Sequence, residues 1–300
     1  NGPSRDLLDL LDNTRPVLIY DISMHGLWVN SKALELSPVG PNPKDPVPNV
    51  AYYKRDKQGQ LTGYITESAA TLFTNHFYQM AQREEKILVD YINYLSEHGV
   101  TSVFDAGNFG LDEEVYQVVS QLDKEGALPL RYHASYTLFL PQQLPTAITE
   151  LKRLAKLYNT ANVRIDTLKV FYDGVIETRT AHLLEDYSNS PGKRGGSLFT
   201  EEEMVQLILE LDREGFNLHV HTLGDQAVRT LLNAVEQARK ILERPLVIQV
   251  AATHLQVIHP EDYPRFAQLD VIAQFTPGWH GADDAYYTQW LGDRANTPYT

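Results

Sequence analysis

From residue 82 onward the sequence alternates between helical and strand patterns, and this alternation constrains the fold more than any other feature. Glu84–His98, Leu111–Gly126, Gln143–Tyr158, Glu201–Gly215, Asp225–Leu242 and Pro260–Leu269 read as helices. Thr101–Asp105, Leu130–Leu138, Arg164–Tyr172, Asn217–His221, Leu246–Thr253 and Val271–Phe275 read as strands. Six strands with a helix between each successive pair imply a parallel sheet with right-handed crossovers. Such units suit a (β/α)8 barrel or a doubly wound sheet. Gly107-Asn108-Phe109-Gly110, after the first of these strands, lacks the GxGxxG spacing of a dinucleotide site. A nucleotide-dependent oxidoreductase is therefore disfavoured.

Residues 1–80 have a different texture and form a first unit, ahead of a second at 81–300. Ser37–Pro48 (SPVGPNPKDPVP) is proline-rich and reads as an extended loop. Val17–Tyr20 reads as a strand, and Ser31 as the cap of a short helix. Asp56–Gly59 reads as a turn between two short strands. The chain is 43% hydrophobic and 22% charged, enough to bury a large core. Its formal net charge of −13 disfavours nucleic acid and anionic membranes as partners. No apolar run is long enough to span a bilayer. Without cysteine there is neither a disulfide nor a thiolate metal site, which fits cytoplasm or periplasm and decides between neither. The chain opens Asn1-Gly2-Pro3-Ser4, so a missing signal peptide carries no information.

In parallel α/β folds active sites collect at the carboxyl ends of strands. Here those ends carry Asp105; His133; Lys169, with Asp173 just beyond; His221; His254; and, in the last case, Thr276-Pro277-Gly278-Trp279-His280. His219 and His221 share one face of their strand, because side chains two apart point the same way. Asp225 can cap a helix beginning at Gln226. The histidines can be metal ligands or hydrogen-bonded core residues. Lys169 lies in the apolar stretch TLKVFY, where a charge is costly. It can pair with Asp173 or Asp105. Alternatively, its neutral amine can take up CO2 and become an anionic carbamate. In that form Lys169, His221 and His254 make a mixed oxygen and nitrogen ligand set suited to Zn²⁺ or another divalent metal.

Several segments together resemble the amidohydrolase superfamily, and within it metal-dependent hydrolases similar to N-substituted formamide deformylase. They are RPVLIYDISMHGLWVNSKALEL (15–36), LTGYITESA (61–69), HGVTSVFDAG, LKVFYDGVIETRTAHLLEDY (168–187), NLHVHTLGDQAV and ATHLQVIHPEDYPRF. Each is moderately specific, and their order and spacing are strongly so. The resemblance implies a TIM-type (β/α)8 barrel, of which this chain holds strands two to seven, with residues 1–80 an α+β insert following strand one.

It also implies residue roles. Lys169 is the carboxylated bridging ligand, and His221 and His254 are imidazole ligands, for one or two divalent ions, zinc foremost. His219 is a packing residue. His25, Asp173 and Arg179 line a pocket for a small-molecule substrate, with Glu67 a weaker candidate. Three departures stand out. The His-x-His pair of strand one and the aspartate of strand eight fall outside the 300 residues, and Thr253 stands where a glutamate often precedes the strand-six histidine. The expected activity is hydrolysis of amide or other non-peptide C–N bonds by a metal-activated water. The alternative is a regulatory or ligand-binding protein on the same barrel. The 300 residues alone are expected to be inactive, to carry an unmodified Lys169, and to self-associate through the edges left by the two outer strands.

Overall fold

The computed structural model describes residues 3–80, 84–276 and 284–296. The amino-terminal part is a four-stranded antiparallel sheet flanked by helices. Helix α1 (Arg5–Asp9) is followed by β1 (Leu18–Tyr20), β2 (Gly26–Val29), α2 (Ser31–Leu36), β3 (Tyr53–Arg55), β4 (Leu61–Thr66) and α3 (Ser68–Met80). The strand order is β1-β2-β4-β3. Leu27, Val29, Ala33, Ile65 and Phe73 form its core. Asp56 ties the β3–β4 turn, its carboxylate accepting from the backbone N–H groups of Gln58 and Gln60. The cap of α2 is Asn30 rather than Ser31. Its side chain accepts from Ala33 N at 2.8 Å, while Ser31 donates to Asp9. Both residues can cap; Asn30 prevails because its amide also donates to the carbonyls of Asp12 and Arg15.

The remainder alternates helix and strand: α4 (Glu85–Glu97), β5 (Ser102–Asp105), α5 (Asp112–Lys124), β6 (Arg131–Leu138), α6 (Ala147–Tyr158), β7 (Val163–Phe171), α7 (Glu201–Glu214), β8 (Asn217–Thr222), α8 (Asp225–Leu242), β9 (Val250–His254), α9 (Tyr263–Leu269), β10 (Val271–Phe275) and α10 (Asp284–Leu291). The six strands form one parallel sheet in the order β10-β9-β8-β7-β6-β5, each paired only with its neighbours in sequence. This is a partial TIM-type barrel. Its central strands are buried on both faces, as β7 and β8 show, which is why they read as continuous apolar runs. Helix boundaries follow ordinary chemistry. Thr200 and Glu203 make a reciprocal capping box on α7, and Gly215, at φ +76°, ends it. Strand β9 begins at Val250, four residues later than the apolar pattern from Leu246 suggests.

The core between sheet and helices includes Leu138, Leu151, Ile165, Leu168, Val220, Leu231 and Val235. A third cluster lies above the carboxyl ends of the strands. It joins Ile176, Leu183 and Tyr187 of the long β7–α7 loop to Leu223, Val257 and Leu291. That cluster holds the loop over the barrel mouth. Strands β5 and β10 are the open edges: Phe104, Ile272 and Phe275 are 42%, 46% and 53% exposed. No helix among the described residues is long and apolar enough to cross a membrane.

Candidate metal centre and its cavity

A cavity of about 540 Å³ opens at the carboxyl ends of the strands. Lys169, Phe171, His219, His221, Thr253 and His254 supply its floor, and Tyr20, Ile22, Met24, His25 and Glu67 of the amino-terminal part overhang it. Sheet register explains the floor. Lys169 lies beside His219, Phe171 beside His221, and His221 beside Thr253, so all five point to one face.

His254 needs a further device. It pairs with Thr222, which alternates with His221 and so belongs to the opposite face. A regular strand would turn its ring away. Instead His254 and Leu255 adopt φ values of +78° and +54°, rare for residues with side chains. The break in alternation swings the imidazole to within 4.7 Å of the His221 ring, centroid to centroid. Local strain of this kind gathers at functional sites.

His221 is fully buried. Its Nε2–H donates to the carbonyl of Gly174 at 3.2 Å, which leaves the lone pair on Nδ1 with no hydrogen-bond partner. Burial is the main cause that holds its pKa well below the ordinary value, and a charge on this ring would also be repelled by any charge on His254, His25 or Lys169. His254, whose Nδ1 meets Thr276 Oγ1 at 2.8 Å, is shifted downward mainly by burial and next by Lys169. Both rings are therefore neutral, the form that binds metals. Lys169 is buried, its Nζ 5.1 Å above the Phe171 ring. Burial pushes its pKa down to about 7, with Asp173 pulling the other way. Neither Asp173 nor Asp105 makes an ion pair with it among the described residues. Asp105 instead accepts from Tyr132, Asn108 and the backbone of Gly107.

Among the described residues no group of three histidine or acidic side chains is placed to hold a metal ion. A cation here would depend on Lys169 beside the two imidazoles. The orphaned Nδ1 of His221, the two neutral rings and an amine able to shed its proton fit a divalent metal as an incomplete donor set.

The other candidates separate. His219 is buried, and its Nε2 meets Gln274 Oε1 and Thr253 Oγ1, both at 2.8 Å. Its ring also lies 5.1 Å from that of Phe104, so it bridges side chains from both open edges of the sheet. Thr253 thus has a partner of its own. Asp173 accepts from the backbone N–H groups of His182, Leu223 and Gly224 at 2.9–3.0 Å, clamping the β7–α7 loop to the β8–α8 turn. Burial nonetheless raises its pKa. Asp225 accepts from Leu184 N, and Gly224 takes the cap position of α8. His25 lines the cavity with its ring 5.2 Å from that of His221. Arg179 does not line it; its Nε donates to Asn189 at 3.0 Å. His133 is likewise absent from the lining, and His280 lies outside the described residues. Sequence reasoning missed Gly174, Thr178, Thr180 and Gln274. They act through close backbone approach and side-chain hydrogen bonds, which leave no spacing signature.

The profile described as "Amidohydrolase family" matches residues 2–299. The chain belongs to the amidohydrolase family. The exoenzymes regulatory protein AepA of Pectobacterium carotovorum subsp. carotovorum is 30% identical over 96% of this amidohydrolase-family chain and 64% of its own length. The N-substituted formamide deformylase of Arthrobacter pascens is 24% identical over 97% of the chain and 53% of its own length. The crystal structure of an uncharacterized metal-dependent hydrolase from Pyrococcus horikoshii OT3 superposes with a TM-score of 0.65 at 22% identity, covering 98% of this chain and 55% of that one. This likeness shows the fold. The chain spans between half and two thirds of the length of these relatives.

Proposed function

We propose that this chain is part of a metal-dependent hydrolase of amide or other non-peptide C–N bonds. The observation that carries this is the convergence of Lys169, His221 and His254 in one cavity, achieved for His254 by a strained backbone. One or two divalent ions, zinc foremost, complete the reading; when bound, such an ion polarises a carbonyl and acidifies water. Lys169, His221 and His254 would hold it. The neutral amine of Lys169 can add CO2 with loss of a proton, replacing a nitrogen donor by anionic oxygens. Phe171 stacks on the His221 ring and supplies an apolar wall beside it. Asp173, held by three backbone N–H groups, secures the loops rather than shuttling protons. The 300 residues by themselves are proposed to be inactive, and turnover belongs to the whole protein.

The name of the AepA relative favours a second reading, a regulatory or ligand-binding barrel, because a fold does not fix a function. Metal analysis of the full-length protein, with a screen of N-formyl and N-acyl amines, separates the two. Stoichiometric metal with release of amine supports the hydrolase. Metal-free protein that turns over none of these compounds supports the regulator.

A further inference from the structure

The cavity has a second built feature, outside the ligand set. Glu67 lies at the junction of β4 and α3 with φ +53°, a left-handed conformation uncommon for glutamate. It is buried, and its backbone N–H donates to the carbonyl of His25 at 2.8 Å. Its Oε2 meets His25 Nδ1 at 2.5 Å. Its Oε1 accepts from Thr180 Oγ1 at 2.5 Å and from Thr178 Oγ1 at 3.2 Å, both on the β7–α7 loop. A Cβ at Gly174 would stand 2.5 Å from that same Oε1 and 2.1 Å from Thr180 Oγ1, so the carboxylate fills space that only glycine leaves. Gly174 is also the residue whose carbonyl orients His221. A carboxylate surrounded by donors can only accept, which requires the proton of the His25 ring to sit on Nδ1. The other nitrogen, Nε2, makes no hydrogen bond among the described residues, on a ring that lines the cavity.

We propose that Glu67 is a positioning residue that fixes the tautomer of His25 and leaves Nε2 to contact the polar group of a bound amide beside His221. Strand β4 and the β7–α7 loop thereby share one buried carboxylate, and the amino-terminal part becomes a wall of the binding site. Only the identity of the ligand as an amide rests on the hydrolase reading.

The test is ring-¹⁵N spectroscopy of the histidine-labelled, zinc-loaded full-length protein. The His25 signals are identified by their loss in His25→Gln, and N-butylformamide serves as the probe. The proton is expected on Nδ1 in the unsubstituted protein, with the Nε2 signal moving as probe is added. Glu67→Gln should redistribute the proton and weaken the probe about five- to tenfold, the loss of roughly one hydrogen bond. Thr180→Val, which removes a donor on the far side of the carboxylate, should act in the same direction with a smaller effect. A proton found on Nε2 in the unsubstituted protein overturns the proposal without any variant. So does an Nε2 signal indifferent to the probe, or a tautomer unchanged in Glu67→Gln. Turnover of the probe is scored separately. If amine is never released while the ring signals behave as expected, the hydrolase reading fails and the role of Glu67 stands.

Discussion

The two residues that best separate scaffold from chemistry are Asp173 and His221, a few ångströms apart. Asp173 has its acceptor capacity committed to three backbone N–H groups. Removing it orphans those donors, at about 1–3 kcal/mol each where water cannot replace it. Asp173→Ala is therefore expected to lose on the order of 3 kcal/mol or more in urea unfolding, and Asp173→Asn, which keeps one carbonyl oxygen, clearly less. Equal losses would mean that the clamp is not the carboxylate. At His221 the expectation is the reverse. Deleting the ring removes a lone pair with no partner, so calorimetric titration should show zinc affinity in His221→Ala reduced by about tenfold or more. His219→Ala should leave it within about twofold, because that ring is held by Gln274 and Thr253. If His219→Ala proves the more damaging, the ligand assignment is wrong. Much of this site was legible in the sequence. A lysine within TLKVFY and histidines at strand ends are costly enough to stand out. The route by which His254 reaches the cavity was not legible, because a positive φ at a histidine has no sequence mark. Nor was the seat of Glu67, which depends on a glycine more than a hundred residues away.

Among the elements, the six parallel strands were readable because each is a short apolar run bounded by a helical pattern. The helix Ser68–Met80 was not. Its sequence SAATLFTNHFYQM mixes threonine, asparagine, histidine and aromatics, all weak helix formers, and packing of Ala69, Ala70 and Phe73 overrides propensity. Helix α5 carries a pH signal of its own. Asp112 opens it, buried, accepting from Asn108 N and Tyr116 OH. Burial pushes its pKa up to about 6. A carboxyl raised on folding is protonated in both states below the unfolded value of about 4, and contributes nothing there. Between about 4 and 6 the folded state retains the proton more tightly, so stability falls as pH rises, by on the order of 2–3 kcal/mol in all. Asp112→Asn keeps an acceptor and cannot ionise. Its urea midpoint relative to the unsubstituted protein should rise from pH 4 to pH 7; a difference that stays flat would show Asp112 to be free of this penalty.

At the scale of the whole molecule, the six-stranded parallel sheet is open but curled until its edges meet through side chains. Phe104 of β5 touches one side of His219, and Gln274 of β10 bonds its Nε2. The backbones of the edge strands remain unpaired on their outer sides among the described residues. Unpaired edges with exposed Phe104, Ile272 and Phe275 invite pairing with another chain. The 300-residue chain is expected to associate with itself, read by light scattering as a mass that grows with concentration. A constant monomer mass at high concentration would refute this. The two edges were legible only through the resemblance to an eight-stranded barrel of which this chain holds strands two to seven. The order of pairing has one more consequence, and it concerns time. Every strand of the parallel sheet pairs only with the strand before it and the strand after it, so each new strand finds a partner that precedes it in the chain. Each pairing nonetheless closes a crossover through a helix, and the crossover from Phe171 to Asn217 is the longest of them. The sheet can still assemble during synthesis, β6 laying down on β5 and β10 last of all. The contacts of Phe104 and Gln274 with His219 set the final curl, and in pulsed hydrogen exchange the amides of β10 should gain protection after those of β7.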